Sequence, residues 1–464
     1  MTDLHYRSLS DTCRRIKSGE LSATQVVEAL LDRIERLEPE LGAFTRILAG
    51  EALTQAERLD AARAAGEPLG PLHGVPVAVK DLFNTRGVVT ASGTRVMADF
   101  VPEEDATVVA CLKQAGAVVI GKTKLWEGAF GVHHPDVTAP RNPWSRDHWT
   151  GGSSTGSAVA VAAGMAFGAL GSDTGGSIRF PCATCALVGI KPTYGRVSRY
   201  GAFPLAESLD HVGPMTRCVE DAARMLQVMA GYDPRDPTSL ENLVPNYGAA
   251  RSDRLAHLTI GVDWEYVSRG VEDAVVATVR DALDVLEELG ARIREVVVPA
   301  STRALVRGWS LTAGVECARA HEAYYPARKV EYGPVLSSLI ELGRRTTRAD
   351  YEHLQQLRGA FRQEFDALLE QVDMLIAPCM PTLPPPLGPG DSIGPSESDM
   401  ADFLTFTAPF NYSGHPALVL PAGLTPTGLP RAFQLVGRRL GEPALFGAGW
   451  AYEQALGWTG HPSL

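Results

Sequence analysis

The sequence predicts a folded α/β protein in which helices pack against a sheet of buried strands. Two short apolar runs, Val75–Val79 and Ala117–Ile120, are bounded by Gly, His and Lys, which is typical of strands buried on both faces. A helical pattern over Val271–Leu289 ends at Gly290, and a strand pattern over Ile293–Val298 follows it. Helices that alternate with buried strands favour an α/β sandwich.

The two ends of the chain are predicted to add helices and strands to this sandwich. A capping-box pattern at Ser22–Gln25 precedes apolar residues at helical spacing, so the first sixty or so residues are predicted to be helices that dock on a larger body. The Pro- and Gly-rich stretch Pro378–Pro395 is predicted to be a loop. Strand patterns return at Ala417–Leu420 and Phe433–Val436, so we expect one domain whose sheet is completed late in the chain.

Composition and charge exclude several classes of protein. Hydrophobic residues make up 45% of the 464 residues and charged residues 21%, as in water-soluble globular proteins. The net charge is −11 with no cluster of Lys and Arg, so neither a nucleic acid nor an anionic membrane is an expected partner. The first eleven residues carry charges and no apolar signal-peptide core, and no apolar run reaches the roughly 18 residues of a membrane span. We therefore expect a cytoplasmic protein.

Cysteine and histidine usage predicts neither a disulfide framework nor a metal site. The seven cysteines are odd in number and scattered along the chain. Cys182 and Cys185 form a lone C-x-x-C, which is predicted to be a pair of buried thiols, with redox or metal use as the alternative. No other His, Asp or Glu cluster has metal-ligand spacing, so no metal and no cofactor are expected.

Two motifs match well-known patterns in the wrong context. Gly116–Thr123 satisfies the phosphate-loop pattern G-x-x-x-x-G-K-[ST], but its middle residues are themselves the strand-like run, whereas phosphate binding needs them in a loop. Gly152–Gly156 satisfies the nucleophile-elbow pattern G-x-S-x-G around Ser154. The elbow requires a strand just before it, and the polar stretch Arg146–Thr150 is not one. A nucleotide-binding protein and an α/β-hydrolase are therefore disfavoured.

A Gly- and Ser-rich region carries the predicted chemistry. A small-residue helix through Ala163 separates its two loops, which distinguishes them from flexible linkers. The turn Asp173–Ser177 is suited to direct consecutive backbone N–H groups to one point, which would place a serine beside an oxyanion hole. Lys80, directly after the strand Val75–Val79, is the best candidate base, because an amine at the edge of an apolar core can be neutral near pH 7. The alternative is an ordinary solvated lysine.

These motifs resemble those of the amidase signature enzymes, and the resemblance covers nearly the whole chain. In that family the catalytic set is Ser-cisSer-Lys with the two serines 24 residues apart, which selects Ser153, Ser177 and Lys80. The resemblance implies that the Gly152–Ser153 peptide is cis. The matching segments are Gly74–Asp81, Gly121–Lys124, Arg141–Trp144, Gly151–Ser154, Gly171–Arg179, Gly189–Arg196, Ser208–Pro214, Ala377–Pro378, Pro409–Asn411, Gly414–Pro416 and Gly428–Pro430.

The resemblance implies a single α/β/α sandwich around a central mixed sheet and an acyl-transfer mechanism. Ser177 would attack the carbonyl after its proton passes through Ser153 to neutral Lys80, and backbone N–H groups would hold the oxyanion. The oxyanion-hole residues are Thr174, Gly175, Gly176 and Ser177. The single amidase domain 1–464 would comprise N-terminal helices (1–65), a catalytic core (70–240), a variable substrate-side region (250–400) and a segment that completes the sheet (401–464).

Departures from the family pattern concern the substrate. Thr155 replaces a usual glycine, and Arg431–Ala432 stand where Val-Gly is common. Glu127–Gly131 replaces the family's EFAMG, and the segment from Phe130 to Asn142 is two residues short. The predicted substrate-binding residues are Phe130, Gly131 and Gly152, with His133 or His134 as further candidates and solvated loop histidines as the alternative. A flat apolar Phe130 favours aryl or apolar amides, and aryl carbamates (urethanes) as additional substrates.

Three functions stay open at this point. The first is a free-standing amide hydrolase acting on a small-molecule amide or carbamate, alone or as a homodimer. The second is the glutaminase subunit of a tRNA amidotransferase, which shares every catalytic motif. The third is a non-catalytic relative used as a binding module, which the three intact triad positions disfavour.

Overall fold

The computed structural model describes residues 4–388 and 402–464, and an eleven-stranded mixed sheet forms the centre of this part of the chain. The strands are β1 Phe44–Ile47, β2 Pro76–Lys80, β3 Val118–Thr123, β4 Gly168–Asp173, β5 Val188–Lys191, β6 His211–Thr216, β7 Thr259–Val262, β8 Arg292–Glu295, β9 Met374–Ala377, β10 Ala417–Leu424 and β11 Pro430–Gly437.

The sheet combines parallel and antiparallel neighbours. The order across it is β1-β3-β2-β4-β6-β5-β10-β11-β9-β7-β8. The pairs β2–β3, β2–β4, β7–β8 and β7–β9 are parallel, and the other pairs are antiparallel. The late hairpin β10–β11 lies between β5 and β9, so the last sixty or so residues join the two halves of the sheet. The predicted mixed-sheet α/β fold is confirmed.

Helices cover this sheet. They are α1 Leu9–Ser18, α2 Ala23–Leu41, α3 Ala49–Ala64, α4 Thr107–Gln114, α5 Thr155–Ala162, α6 Arg179–Thr184, α7 Val219–Met229, α8 Trp264–Ser268, α9 Asp273–Glu288, α10 Thr302–Ala320, α11 Pro334–Arg345, α12 Arg348–Gln371, α13 Ala408–Ser413 and α14 Glu442–Leu456. Helices α5 and α6 contact each other and the central strands, while α7, α9 and α14 form a second group against the sheet. Helices α10, α11 and α12 pack together.

The local sequence explains where these helices form. Ser22 caps α2 through the predicted capping box, with its hydroxyl accepting from the Gln25 N–H at 2.9 Å and the Gln25 side chain accepting from the Ser22 N–H. Gly42 ends α2 in the left-handed conformation. All eight residues of α5 are buried, and only small Gly, Ala, Ser, Thr and Val side chains occur there, which allows the helix to lie close against β2, β3 and β4.

The topology brings two polar strand ends together. Strands β2 and β4 are parallel neighbours, with Val79 opposite Leu170, so Lys80 at the end of β2 lies beside the last residues of β4. Ser172 and Asp173 occupy that end of β4. Polar groups at the carboxyl ends of adjacent parallel strands are the usual position of an active site in an α/β sheet.

Some element predictions need correction. The N-terminal region contains an edge strand, β1, which pairs antiparallel with β3; its four residues are mostly exposed and lack the apolar pattern of the buried strands. The strand predicted over Ile293–Val298 is Arg292–Glu295, an edge strand with exposed side chains. Lys80 is the last residue of its strand rather than the first residue after it. The predicted loop Pro378–Pro395 lies partly outside the described residues.

In residues 4–388 and 402–464, no helix combines the length and the apolar character that a bilayer span requires.

Candidate active site

Lys80 is the centre of a buried polar cluster. Its side chain is fully buried, and its Nζ lies 2.8 Å from the Ser153 Oγ, 2.9 Å from the Ser154 Oγ and 2.9 Å from the Ser172 Oγ. Burial lowers the pKa of Lys80 to about 7, against the opposing effect of the carboxylates of Asp173 and Asp210. The amine therefore exchanges its proton near neutral pH, as a general base requires.

Two of the serines next to Lys80, Ser153 and Ser154, directly precede α5. The Gly152–Ser153 peptide is cis, as the family resemblance implied. Gly152 packs so closely against the Trp126 indole that a Cβ at this position would lie 1.9 Å from the ring. Ser153 and Ser154 are completely buried, and the Ser154 hydroxyl also donates to the Ser172 carbonyl oxygen at 3.3 Å.

The Asp173 carboxylate organises the turn that follows β4. It accepts hydrogen bonds from the N–H groups of Gly176 and Ile178 and from the Arg179 guanidinium. Burial alone would raise the pKa of Asp173, but the Arg179 charge and its hydrogen bonds hold that pKa well below its usual range. The ionised carboxylate thus fixes the backbone between Thr174 and Arg179 from the inside.

The predicted oxyanion hole comprises four N–H groups of this turn, those of Thr174, Gly175, Gly176 and Ser177. The Gly176 N–H donates to the Asp173 Oδ1 at 2.9 Å, so one of the four predicted donors is already engaged. Among the described residues, the N–H groups of Thr174, Gly175 and Ser177 have no hydrogen-bond acceptor. Gly176 has a φ of +140°, which favours glycine, and a Cβ there would lie 2.4 Å from the Phe180 ring. The N–H groups of Thr174, Gly175 and Ser177 stay free to act as the predicted oxyanion donors.

Of Ser153, Ser154 and Ser177, it is Ser177 that lines an apolar cavity beside the turn. Ser177 is 9% exposed, whereas Ser153 and Ser154 are 0% exposed. In the described part of the chain, the Ser177 and Ser153 hydroxyls do not hydrogen-bond to each other. The two segments are joined instead by the Ser154 N–H, which donates to the Ser177 carbonyl oxygen at 3.3 Å.

The walls of this cavity are apolar and largely aromatic. The three predicted substrate-binding residues, Phe130, Gly131 and Gly152, all line it. The Phe130 ring stacks on Trp309 with centroids 6.1 Å apart and an interplanar angle of 19°. None of the described lining residues is charged. The others are Trp126, Ala129, Trp149, Thr174, Gly175, Ser177, Phe180, Leu205, Phe403 and Leu404.

Arg179, the cation supplied by the family motif, does not face this cavity. It is completely buried, and its guanidinium donates to Asp173, to the Asn411 Oδ1 at 2.6 Å and to the Thr407 carbonyl oxygen at 2.9 Å. Its role in the structure is to hold the Asp173 turn against the segment around α13.

The two histidine candidates lie elsewhere. His133 and His134 are buried, so neither is a solvated loop residue, and neither lines the cavity. The His133 Nε2 lies 3.2 Å from the Thr155 Oγ1, and burial lowers the pKa of His133 to about 3. His134 accepts from the Asp136 N–H through Nδ1 at 3.1 Å. Both histidines therefore support the loop after Phe130 rather than the pocket.

The phosphate-loop pattern and the C-x-x-C pair both lie in buried parts of the fold. Residues 118–123 of the phosphate-loop pattern form β3, and the Lys122 amine donates to the Phe83 carbonyl oxygen and the Thr90 hydroxyl. Cys182 and Cys185 are buried free thiols. In the described ranges 4–388 and 402–464, no three His, Cys, Asp or Glu side chains converge as metal ligands would.

Several functional residues escaped the sequence interpretation. Ser154 and Ser172 contact the Lys80 amine. The sequence pointed to Ser154 only through the disfavoured nucleophile-elbow pattern, and no pattern distinguished Ser172 from the other serines of the two loops. Trp309 and Phe403 come from the variable region and from the last segment, and they reach the cavity only through long-range packing. No local pattern marks them.

The site thus combines a buried lysine with a low pKa, a set of serines and a turn in which three N–H groups are unengaged. These are the components of a hydrolase that works by acyl transfer. The amidase family model matches residues 25–446. AmiD of Mycobacterium tuberculosis (strain ATCC 25618 / H37Rv), a putative amidase by name, is 42% identical over 451 residues, 97% of this chain and 94% of AmiD. The chain belongs to the amidase signature family of amide hydrolases.

Two further relatives differ in their named activities. The A subunit of the glutamyl-tRNA(Gln) amidotransferase of Roseiflexus sp. (strain RS-1) is 40% identical over 491 residues, which cover 100% of this chain and 99% of the relative. The crystal structure of a bacterial aryl acylamidase of the amidase signature family superposes with a TM-score of 0.90 at 28% identity and covers 98% of each chain.

Proposed function

We propose that this chain hydrolyses the C–N bond of small carboxamides that carry an aryl or other apolar group, with small aryl carbamates as additional substrates. The observation that carries the proposal is the cavity onto which Ser177 opens, because aromatic and other apolar residues make up most of its described walls and none of the described lining residues is charged. The similarity to an aryl acylamidase supports the same substrate class.

The first half of the reaction forms an acyl-enzyme on Ser177. Neutral Lys80 accepts the Ser153 hydroxyl proton while Ser153 accepts the Ser177 proton, and the Ser177 Oγ attacks the carbonyl carbon. The carbonyl π electrons move to the oxygen, where the N–H groups of Thr174, Gly175 and Ser177 stabilise the negative charge. Removal of one such donor typically costs about 3–4 kcal/mol of transition-state stabilisation.

The second half returns the enzyme to its starting state. The proton passes back from Lys80 through Ser153 to the leaving nitrogen, the C–N bond breaks and the amine departs. Water then attacks the ester carbonyl, its proton follows the same path to Lys80, and the ester C–O bond breaks. The Ser177 oxygen regains a proton, and the carboxylic acid leaves.

The lining disfavours small charged amides such as glutamine, asparagine and malonamate. A bound carboxylate needs a cation or several hydrogen-bond donors, because burying an unpaired charge is expensive. Arg179 is the arginine nearest to the nucleophile in sequence, and its guanidinium is fully occupied by Asp173, Asn411 and Thr407. An uncharged aryl group requires only the apolar contact that the cavity offers.

A second candidate is the glutaminase subunit of a tRNA amidotransferase, because the Roseiflexus relative of that kind is 40% identical over 99% of its length. The two functions differ in their dependence on a partner. Purified chain alone that turns over aryl amides supports the first function. Glutamine hydrolysis that appears only after amidotransferase partner subunits are added supports the second.

The substrate class is tested by comparing kcat/KM across a panel. A nitroanilide and an aryl carbamate are compared with glutamine, asparagine and malonamate, in wild type and in Phe130→Ala. We expect the aryl substrates to be preferred. Phe130→Ala should lower kcat/KM for them by about 2- to 10-fold through lost aromatic contact alone.

The matched control is Phe100→Ala, which removes a phenyl ring that is 39% exposed and outside the cavity. This variant should hydrolyse the nitroanilide like wild type. Preference for the charged amides, or equal activity of Phe130→Ala and Phe100→Ala on the aryl substrates, would contradict the proposal.

A further inference from the structure

In the turn after β4, the four carbonyl oxygens from Asp173 to Gly176 each accept a hydrogen bond. Three of the donors come from distant segments of the chain, and the fourth comes from α6. The Asp173 carbonyl oxygen accepts from the Asn411 Nδ2 at 2.9 Å, and the Gly176 oxygen accepts from the Phe180 N–H at 2.7 Å. Between them, the Thr174 oxygen accepts from the Trp309 Nε1 at 3.1 Å, and the Gly175 oxygen accepts from the Thr407 hydroxyl.

These hydrogen bonds, here called carbonyl anchors, determine where the N–H groups of the same turn point. A trans peptide is planar, and its N–H lies antiparallel to its C=O. In the described ranges the cis peptides are Gly152–Ser153 and Tyr325–Pro326, so the peptides of this turn are trans. A donor that fixes the Thr174 carbonyl therefore fixes the direction of the Gly175 N–H on the opposite side of the same plane.

Trp309 is placed to do this from the wall of the substrate cavity. It lies on α10, is 4% exposed, and stacks on Phe130. Its ring also closes over the turn, since a Cβ at Gly175 would lie 2.9 Å from it. One side chain thus contacts the aromatic wall, the backbone of the turn and the carbonyl of the peptide that carries the Gly175 N–H.

We propose that Trp309 is a positioning residue for the oxyanion hole: its Nε1–H holds the Thr174–Gly175 peptide so that the Gly175 N–H faces the developing oxyanion. The inference rests on the proposed acyl transfer at Ser177. It assigns to a residue of the variable region a contribution to kcat in addition to its contact with the substrate. Because Trp309 also stacks on Phe130, a substrate that displaces the indole would lose rate as well as affinity.

The test removes the indole N–H and keeps an aromatic ring. Trp309→Phe is compared with Trp126→Phe, because Trp126 lines the same cavity and its Nε1 has no hydrogen-bond partner among the described residues. Both variants shrink the wall, but only Trp309→Phe removes the carbonyl anchor. We expect kcat for a nitroanilide to fall by about 10- to 100-fold more in Trp309→Phe than in Trp126→Phe, a partial loss of the effect of one oxyanion donor.

Two further readouts separate positioning from a general structural defect. A boronic acid that forms a tetrahedral adduct with Ser177 should bind Trp309→Phe more weakly by a similar factor. The aryl amide itself should bind Trp309→Phe/Ser177→Ala more weakly than Ser177→Ala by no more than Trp126→Phe/Ser177→Ala does, because both changes shrink the wall by the same ring. Thr407→Val removes the neighbouring anchor on Gly175 without entering the cavity. That anchor fixes the peptide of the Gly176 N–H, which is already engaged by Asp173, so this variant should lower kcat less than Trp309→Phe does.

The outcomes distinguish this inference from the proposed function. If Ser177→Ala retains turnover or wild type forms no acyl-enzyme on Ser177, the proposed function is wrong and the inference falls with it. If Ser177 is acylated but Trp309→Phe and Trp126→Phe lose kcat equally, or boronic acid affinity is unchanged in Trp309→Phe, Trp309 is only a wall of the cavity and the inference alone is overturned.

Discussion

The buried amine of Lys80 makes a quantitative prediction about pH. The side chain is fully buried, burial lowers its pKa to about 7, and only the neutral amine accepts a proton from Ser153. Protonated Lys80 predominates below that pKa, so the active fraction decreases tenfold for each pH unit. The account predicts that kcat/KM at pH 6 is about one tenth of its plateau and at pH 5 about one hundredth, with the plateau reached above about pH 8.

The assay uses an unactivated anilide at substrate concentrations below KM, because kcat/KM then reports the free enzyme and acylation stays rate-limiting. Activity at pH 7 after each exposure is measured to exclude acid inactivation. The carboxylates of Asp173 and Asp210 raise the pKa of Lys80, so Asp210→Asn should move the midpoint to lower pH. This variant also changes the partner of the Thr174 hydroxyl, so the midpoint and not the absolute rate is compared.

A kcat/KM that is flat from pH 6 to 9, while chemistry is shown to limit the rate, would contradict the role of Lys80 as the base. That role would also be refuted by a midpoint near 10, because Lys80 would then titrate like a solvated lysine despite its burial.

The remaining predictions concern single substitutions and cofactors. Ser177→Ala should abolish turnover, and near-native turnover of this variant would contradict the assignment of Ser177 as the nucleophile. Lys80→Ala and Ser153→Ala should each lower kcat by orders of magnitude while the circular dichroism spectrum stays unchanged. Gly152→Ala should destabilise the fold by about 1–3 kcal/mol in urea unfolding, since its Cβ would lie 1.9 Å from the Trp126 ring, and an unchanged unfolding midpoint would refute this. Full activity is expected after exhaustive chelation. Calorimetry that detected micromolar ATP binding would contradict the prediction that residues 116–123 bind no nucleotide.

The parts of the fold that were predicted from the sequence are those with a local signature. Continuous apolar runs marked β2, β3 and β10, and a mainly apolar run marked β11, because a strand buried on both faces needs apolar side chains on both. The Ser22 capping box marked the start of α2. Edge strand β1 has no such signature: three of its four residues are exposed, and its existence depends on pairing with β3.

The residues of the candidate site also differ in whether a local pattern marks them. Lys80, Ser153 and Ser177 could be named because motif residues and a fixed spacing accompany them, whereas Trp309 could not, because α10 brings it to the cavity only in the folded chain. The engagement of the Gly176 N–H with Asp173 likewise depends on the conformation of the turn and not on residue type. Long-range packing therefore determines which residues line the cavity and which N–H groups are free to bind an oxyanion. The local sequence indicates the candidate lysine and serines.

The central claim, that Ser177 is the acylated nucleophile, is tested most directly by trapping the intermediate. Wild type is mixed with an O-aryl carbamate. Attack by the Ser177 oxygen breaks the bond between the carbonyl carbon and the aryl oxygen, releases the phenol and leaves the carbamoyl group on the enzyme. The mixture is quenched in acid within the first turnover and digested, and the modified peptide is located by mass spectrometry. The account predicts one carbamoyl group on Ser177, and its loss in Ser177→Ala but not in Ser154→Ala. A carbamoyl group on Ser153 or Ser154, or modification that persists in Ser177→Ala, would contradict it.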